Sequence, residues 1–182
     1  MTPSGVYGES IQDNKRPVLC ERFFFVNGSI TETGANTFSE LEVSLPLDSL
    51  NQEGVLVHAV YFTMSEPDNV PATQTAVSVQ VTATSKTALV NANDANLLAK
   101  RESITTGGAG EFSGPHIVDF IGSQAPYAIS DNLGLIATDN VHFGIRGNNN
   151  TVAKSANFRM VCSRIKLEAA AYAALVTNEL SS

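Results

Sequence analysis

Leu41, Val43, Leu45 and Leu47 alternate with Glu40, Glu42, Ser44 and Pro46. A period of two places one set on a buried face and the other in water, the pattern of a half-exposed β-strand. Pro46 has no N–H for a ladder bond, so this strand belongs at a sheet edge or ends there. Val77, Val79, Val81 and Ala83 against Ser78, Gln80, Thr82 and Thr84 predict a second half-exposed strand over 77–84. In Val55 to Phe62 both alternating sets are apolar, which predicts a central strand covered on both faces.

Before these, Val18 to Val26 is rich in aromatic and β-branched residues and stops at Asn27-Gly28, a two-residue turn signal, so a strand is expected from Pro17 to the turn. Short apolar runs at 116–121, 133–137 and 141–146 predict brief strands. Asn148-Asn149-Asn150 then turns the chain into a last extended run over 157–167, and a hairpin is the natural reading. On that run Arg159, Val161, Ser163, Ile165 and Leu167 share one side. From Asn91 to Arg101 a short helix is expected, with Asp94 as its cap and Leu97-Leu98 buried.

The period changes after Leu167. Alanine-rich Glu168 to Leu180 predicts a C-terminal helix with Tyr172, Leu175, Val176 and Leu180 as its docking stripe, which are the candidate assembly residues. The expected organisation is an N-terminal arm over 1–16, a β-sandwich over 17–167, and a helix and tail over 168–182, with no internal repeat. The fold class is mainly β: an antiparallel two-sheet sandwich of jelly-roll type with a short C-terminal helix.

Composition narrows the function. Apolar residues are 43% and charged residues 16%, so much of the surface is built from uncharged polar side chains. The net charge of −7 lies wholly in residues 1–70, which hold ten acids against three bases; the remainder holds eight of each. The basic pairs Lys15-Arg16 and Lys100-Arg101 have no interleaved aromatics, so direct nucleic-acid binding is not expected. No run of about 18 apolar residues predicts a membrane span, and the opening residues have no signal-peptide pattern.

The candidate chemistry is sparse. Cys20 and Cys162 read as two buried reduced thiols, with a disulfide between them as the alternative, and neither has a nearby Cys to make a zinc or redox pair. His58, His116 and His142 are isolated in sequence; His58 is expected to be structural, packed between sheet layers with a ring nitrogen satisfied locally. Gly107 to Gly114 could cradle an anion, but no GK[ST] follows, so a loop is the expectation. Asp131-Asn132 and Asp139-Asn140 suit calcium by ligand type and turns equally by local hydrogen bonding. The sequons at Asn27 and Asn149 are read as turns. No cofactor, metal or catalytic residue is expected, and the chain is not read as an enzyme.

The short polar arm, the buried strand Val55–Phe62, the polar loops at 65–75 and 107–115, and the closing strand and helix at 157–180 resemble single jelly-roll coat proteins of small tailless icosahedral viruses. That resemblance implies many identical copies in a closed shell, partnered by themselves and by other structural virion proteins, in the virion and assembled in the host cytoplasm. Such coats often carry a basic arm, whereas Lys15 and Arg16 here stand among Glu9 and Asp13. A decoration protein on a particle surface, or a ligand- or carbohydrate-binding β-module, is the alternative.

Overall fold

The structure, a computed structural model, describes residues 23–48, 51–108, 116–121 and 133–180; over 116–121 and at Leu180 it describes the backbone alone. The arm 1–16, residues 17–22 with Cys20, the glycine-rich loop from 109 to 115, and Asp131-Asn132 therefore lie outside the described residues.

Among the described residues nine strands and one helix follow in order: β1 Phe24–Thr31, β2 Ser39–Ser44, β3 Glu53–Met64, β4 Gln74–Thr82, β5 Leu97–Thr106, β6 His116–Ile121, β7 Gly134–Ile136, β8 Asn140–Asn148, β9 Ser155–Lys166 and α1 Ala169–Leu180. They form a four-stranded sheet, β1-β9-β3-β7, facing a five-stranded sheet, β2-β8-β4-β5-β6. Every pairing is antiparallel. The chain passes from sheet to sheet and closes β9 between β1 and β3, so this is the jelly-roll type of β-sandwich, with the expected C-terminal helix.

The core is the inward set of both sheets. Val77, Val79 and Val81 on β4, and Val141, Phe143 and Ile145 on β8, meet Val55 and Val57 on β3 and Phe158, Met160 and Cys162 on β9. The Phe143 ring lies 4.1 Å from that of Phe158 and 5.9 Å from that of Phe62, joining the sheets at the centre. Burial pushes the Cys162 thiol up to about 12, so it stays protonated and unreactive.

Several expectations are corrected. Asn27-Gly28 is not a turn: β1 runs through it, because a side chain at Gly28 would place its Cβ 2.0 Å from the Phe158 ring. The sequon at Asn27 is thus strand, whereas Asn149, at φ 55, does sit in a turn. Strand β4 is buried on both faces, since the segment between β4 and β5 folds over its polar side. There the Gln80 amide donates to the Ala88 carbonyl and its oxygen accepts from Val90 N–H.

The doubly apolar strand β3 has its inner face covered, but Tyr61 on the other face is 58% exposed. A bulge between Val57 and Ala59 shifts its register, so that Val55 and Val57, then Val60 and Phe62, can all turn inward. Asn91–Arg101 is not helical: Asp94 accepts from Asn96 N–H in an Asx turn and Leu97 begins β5, where pairing with β4 overrides helix propensity. Nor do β8 and β9 make a hairpin; they belong to different sheets.

A polar clamp holds that crossover. Glu32 accepts from the N–H groups of Gly147 and Lys154, Asn150 exchanges hydrogen bonds with Asn36, and Lys154 donates to Asp68 and to the Glu66 carbonyl. The hydrogen bond from Lys154, then those from Thr151, hold the Asp68 carboxyl far below the usual range. A depressed carboxylate stabilises the fold above its ordinary value of about 3.9, and that contribution fades as pH falls through and below it. Unfolding measured between about pH 5 and pH 2 should show a loss of stability in wild type that is reduced in Asp68→Asn, with the variant less stable at neutral pH.

Candidate interaction surface

The outer face of the four-stranded sheet is made by the residues that core packing turns outward. With Phe158, Met160 and Cys162 inside, Arg159, Val161 and Ser163 point away, and the register sets Asn27 and Tyr61 on either side of Arg159, and Phe25 and Ala59 beside Val161. Three aromatic side chains there are more than half exposed: Phe23 at 53%, Phe25 at 51% and Tyr61 at 58%. The Arg159 guanidinium lies 4.0 Å from the centre of the Phe25 ring, a cation–π contact on an open surface. Phe25, Tyr61, Thr63, Arg159 and Val161 enclose a shallow depression of about 520 Å³.

His58 lies at the margin of this face, not between the sheet layers as expected. Its Nε2 is 2.7 Å from the Ser163 hydroxyl, and its ring meets Phe23 edge-on at 5.1 Å. A ring nitrogen is satisfied locally, as expected. Ser163 is 1% exposed, so its hydroxyl is closed to solvent beneath the half-buried imidazole.

The other candidates do not converge. His116 and His142 sit on β6 and β8, separated by β4 and β5, and His58 is in the other sheet. His142 Nδ1 is 3.5 Å from the Glu40 carboxylate without a hydrogen bond to it, and Glu40 accepts from the Ser85 hydroxyl and from Lys86 N–H. Asp139 is exposed and its carbonyl accepts from Leu45 N–H, while Asn140 donates to Glu42. Among the described residues no three His, Cys, Asp or Glu side chains gather as metal ligands. Gly107 packs its backbone against Val70, where a Cβ would stand 1.9 Å from the carbonyl oxygen.

A second concavity, about 580 Å³, opens between the end of β3 and β5, with Phe62, Met64, Pro67, Arg101 and Ser103 in its wall. Arg101 donates to the Phe62 carbonyl there. Among the described residues no helix is long and apolar enough to cross a membrane.

On α1, Tyr172, Leu175 and Val176 are half-buried, and Leu175 faces a recess beside Leu97, Leu98 and Leu133. The side chain of Leu180 lies outside the described residues. The anchor that sequence reasoning missed is Glu179, 5% exposed, whose carboxylate accepts from the N–H groups of Ala137 and Thr138. Its signal was present: 172, 175, 176 and 179 share one helical face. Compared with known proteins, the chain matches no family model and no curated protein sequence.

Replacing Glu179 by Ala leaves two main-chain donors without an acceptor, one of them buried. Glu179→Ala should cost about 1–3 kcal/mol in chemical denaturation and speed amide exchange along α1, whereas Ala174→Ser, at an exposed position of the helix, should alter helix exchange far less.

Proposed function

We propose that the chain is a structural subunit that self-assembles into a virus capsid or a similar protein shell, rather than an enzyme. The observation that carries this reading is the outer face of the four-stranded sheet, where Phe25 and Tyr61 flank Arg159 and Phe23 stands beside His58, all three rings more than half exposed. Tyr, Phe and Arg are enriched at the cores of protein interfaces, and an exposed aromatic cluster of this kind is a surface that association buries. The jelly-roll sandwich supports the same reading, since it presents broad rigid faces on which many equal contacts can be repeated. We assign a second contact to α1, where Tyr172, Leu175, Val176 and Leu180 are the proposed assembly residues. The working place proposed for the chain is the virion, after assembly in the host cytoplasm, with copies of itself and other structural virion proteins as partners. A decoration role on a particle surface would draw on the same face.

The concavity beside Arg101 favours a second reading, a ligand-binding β-module, because about 580 Å³ falls in the range of small-molecule sites. Mass in solution separates the two. A shell subunit forms large symmetric particles by light scattering and electron microscopy; a species of one 19.3 kDa chain at every concentration rejects the shell reading. Tyr61→Ala should lower association by more than about tenfold, as loss of an interface anchor does, while shifting the unfolding free energy by no more than about 0.5 kcal/mol, as expected of an exposed side chain.

A further inference from the structure

Among the described residues the two sheets have four edge strands, and three of them carry a guard against pairing with another chain. Strand β2 bears Glu40 and Glu42 and is followed by Pro46. Strand β7 is three residues long, and its Gly134 and Leu135 share a recess with Leu175 and Glu179 of α1. Strand β6 has Asp119 in its sequence and Pro115 just before it. Strand β1 has none of these. Its eight residues include no charge and no proline, and its register with β9 runs from Phe24 to Thr31 without a bulge.

We propose that β1 is a self-pairing edge: a second copy lays its own β1 antiparallel along it, joining two four-stranded sheets into one of eight strands. This rests on the assembly reading above and names the contact it uses. Antiparallel partners opposite one another share a face, so the outward set Phe25, Asn27, Ser29 and Thr31 must meet its own counterpart. The two-fold axis therefore lies between one residue of β1 and the same residue of the second copy, directly opposite each other, and the aromatic face continues across it.

Three considerations select a second copy as the occupant. The first is shape: an edge offers a row of main-chain donors and acceptors about 27 Å long, which only another extended strand satisfies. The second is area. Three half-exposed rings present roughly 100 Å² each, well short of the ~800 Å² per partner of a stable interface, so the face needs the adjoining edge to reach that size. The third is charge. In a chain of net charge −7, β1 and the outward positions of β9 from Asn157 to Ile165 hold no carboxylate, so like copies repel least there. The only cation among them, Arg159, lies one strand in from the edge. Its guanidinium lies over the Phe25 ring, whose face takes up part of the charge.

The test uses the full chain. Amide exchange along β1 is followed at rising protein concentration, and association is measured by sedimentation for wild type and for Phe25→Glu/Ser29→Glu. The new carboxylate at 25 lies under Arg159, which gives it a partner within the subunit. The proposal expects the free-side amides of β1 to gain protection as copies associate. It also expects the double variant to raise the dissociation constant more than about tenfold, with an unchanged far-ultraviolet spectrum. If the variant fails to fold, wild-type exchange decides. Exchange on β1 that ignores concentration overturns the proposal: fast exchange means an open edge, and slow exchange means an edge covered within one chain. Equal association of the variant also overturns it. Large particles formed with β1 unaffected reject the edge and leave the assembly reading standing; a dimer through β1 that never grows rejects the shell and keeps the edge. A single-chain species at every concentration rejects both.

Discussion

The contact between the Phe143 ring of one sheet and the Phe158 and Phe62 rings of the other fixes the rest of the molecule. Side chains alternate along a strand, so an inward Phe158 commits Arg159 and Asn157 to the outside, and an inward Phe62 commits Tyr61 and Thr63. The same ring occupies the space where Gly28 would carry a side chain, which is why β1 can cross Phe158 closely and continue. On the other sheet Gly144 has an equivalent role: a Cβ there would meet the Phe38 ring at 2.9 Å. The bulge at His58 reconciles this commitment with the first half of β3, where Val55 and Val57 must also be inside.

Parity gives each sheet an outer face, and the chain treats the two differently. Over the five-stranded sheet it returns upon itself: Gln80, fully buried, grips the crossing segment at Ala88 and Val90, and Lys100 donates to the Val90 carbonyl. Over the four-stranded sheet the described residues leave Phe25 and Tyr61 in solvent, with Arg159 between β1 and β3. The covered face is the polar one in sequence and the exposed face the aromatic one, the reverse of what burial within one subunit favours. An aromatic face left open while a polar one is closed is consistent with a surface completed by association.

This inversion explains what was legible in the sequence. The strands at 40–47, 116–121, 133–137 and 141–146, and the C-terminal helix, were read from local period and propensity, which pairing across the sandwich then respected. The exposure of β3 and β4 was not legible. Gln80 looks like a solvent-facing residue until a distant segment crosses it, and Tyr61 looks like core until the bulge at His58 changes which parity is inside. Asn27-Gly28 misled for a related reason, since the glycine answers Phe158, which lies 130 positions away along the chain. Of the site, the outward set on β9 was legible as a set, but nothing local said that it faces solvent together with Phe25.

The acid excess also takes on a structural meaning. Glu32, Glu40, Glu53, Asp68, Asp94 and Glu179 each accept a main-chain N–H, mostly where the chain leaves a strand and the ladder can no longer satisfy it. A carboxylate with two oxygens serves two such donors at once, as Glu32 does for Gly147 and Lys154 and Glu179 does for Ala137 and Thr138. These acids gather at the loops and at the ends of the sandwich, and Glu40 and Glu42 on the five-stranded sheet. None is left for β1 or for the outward positions of β9. Among the described residues the carboxylates thus stand away from the aromatic face, and in the assembly proposed above the contact least opposed by charge would also be the one that covers the exposed aromatic rings.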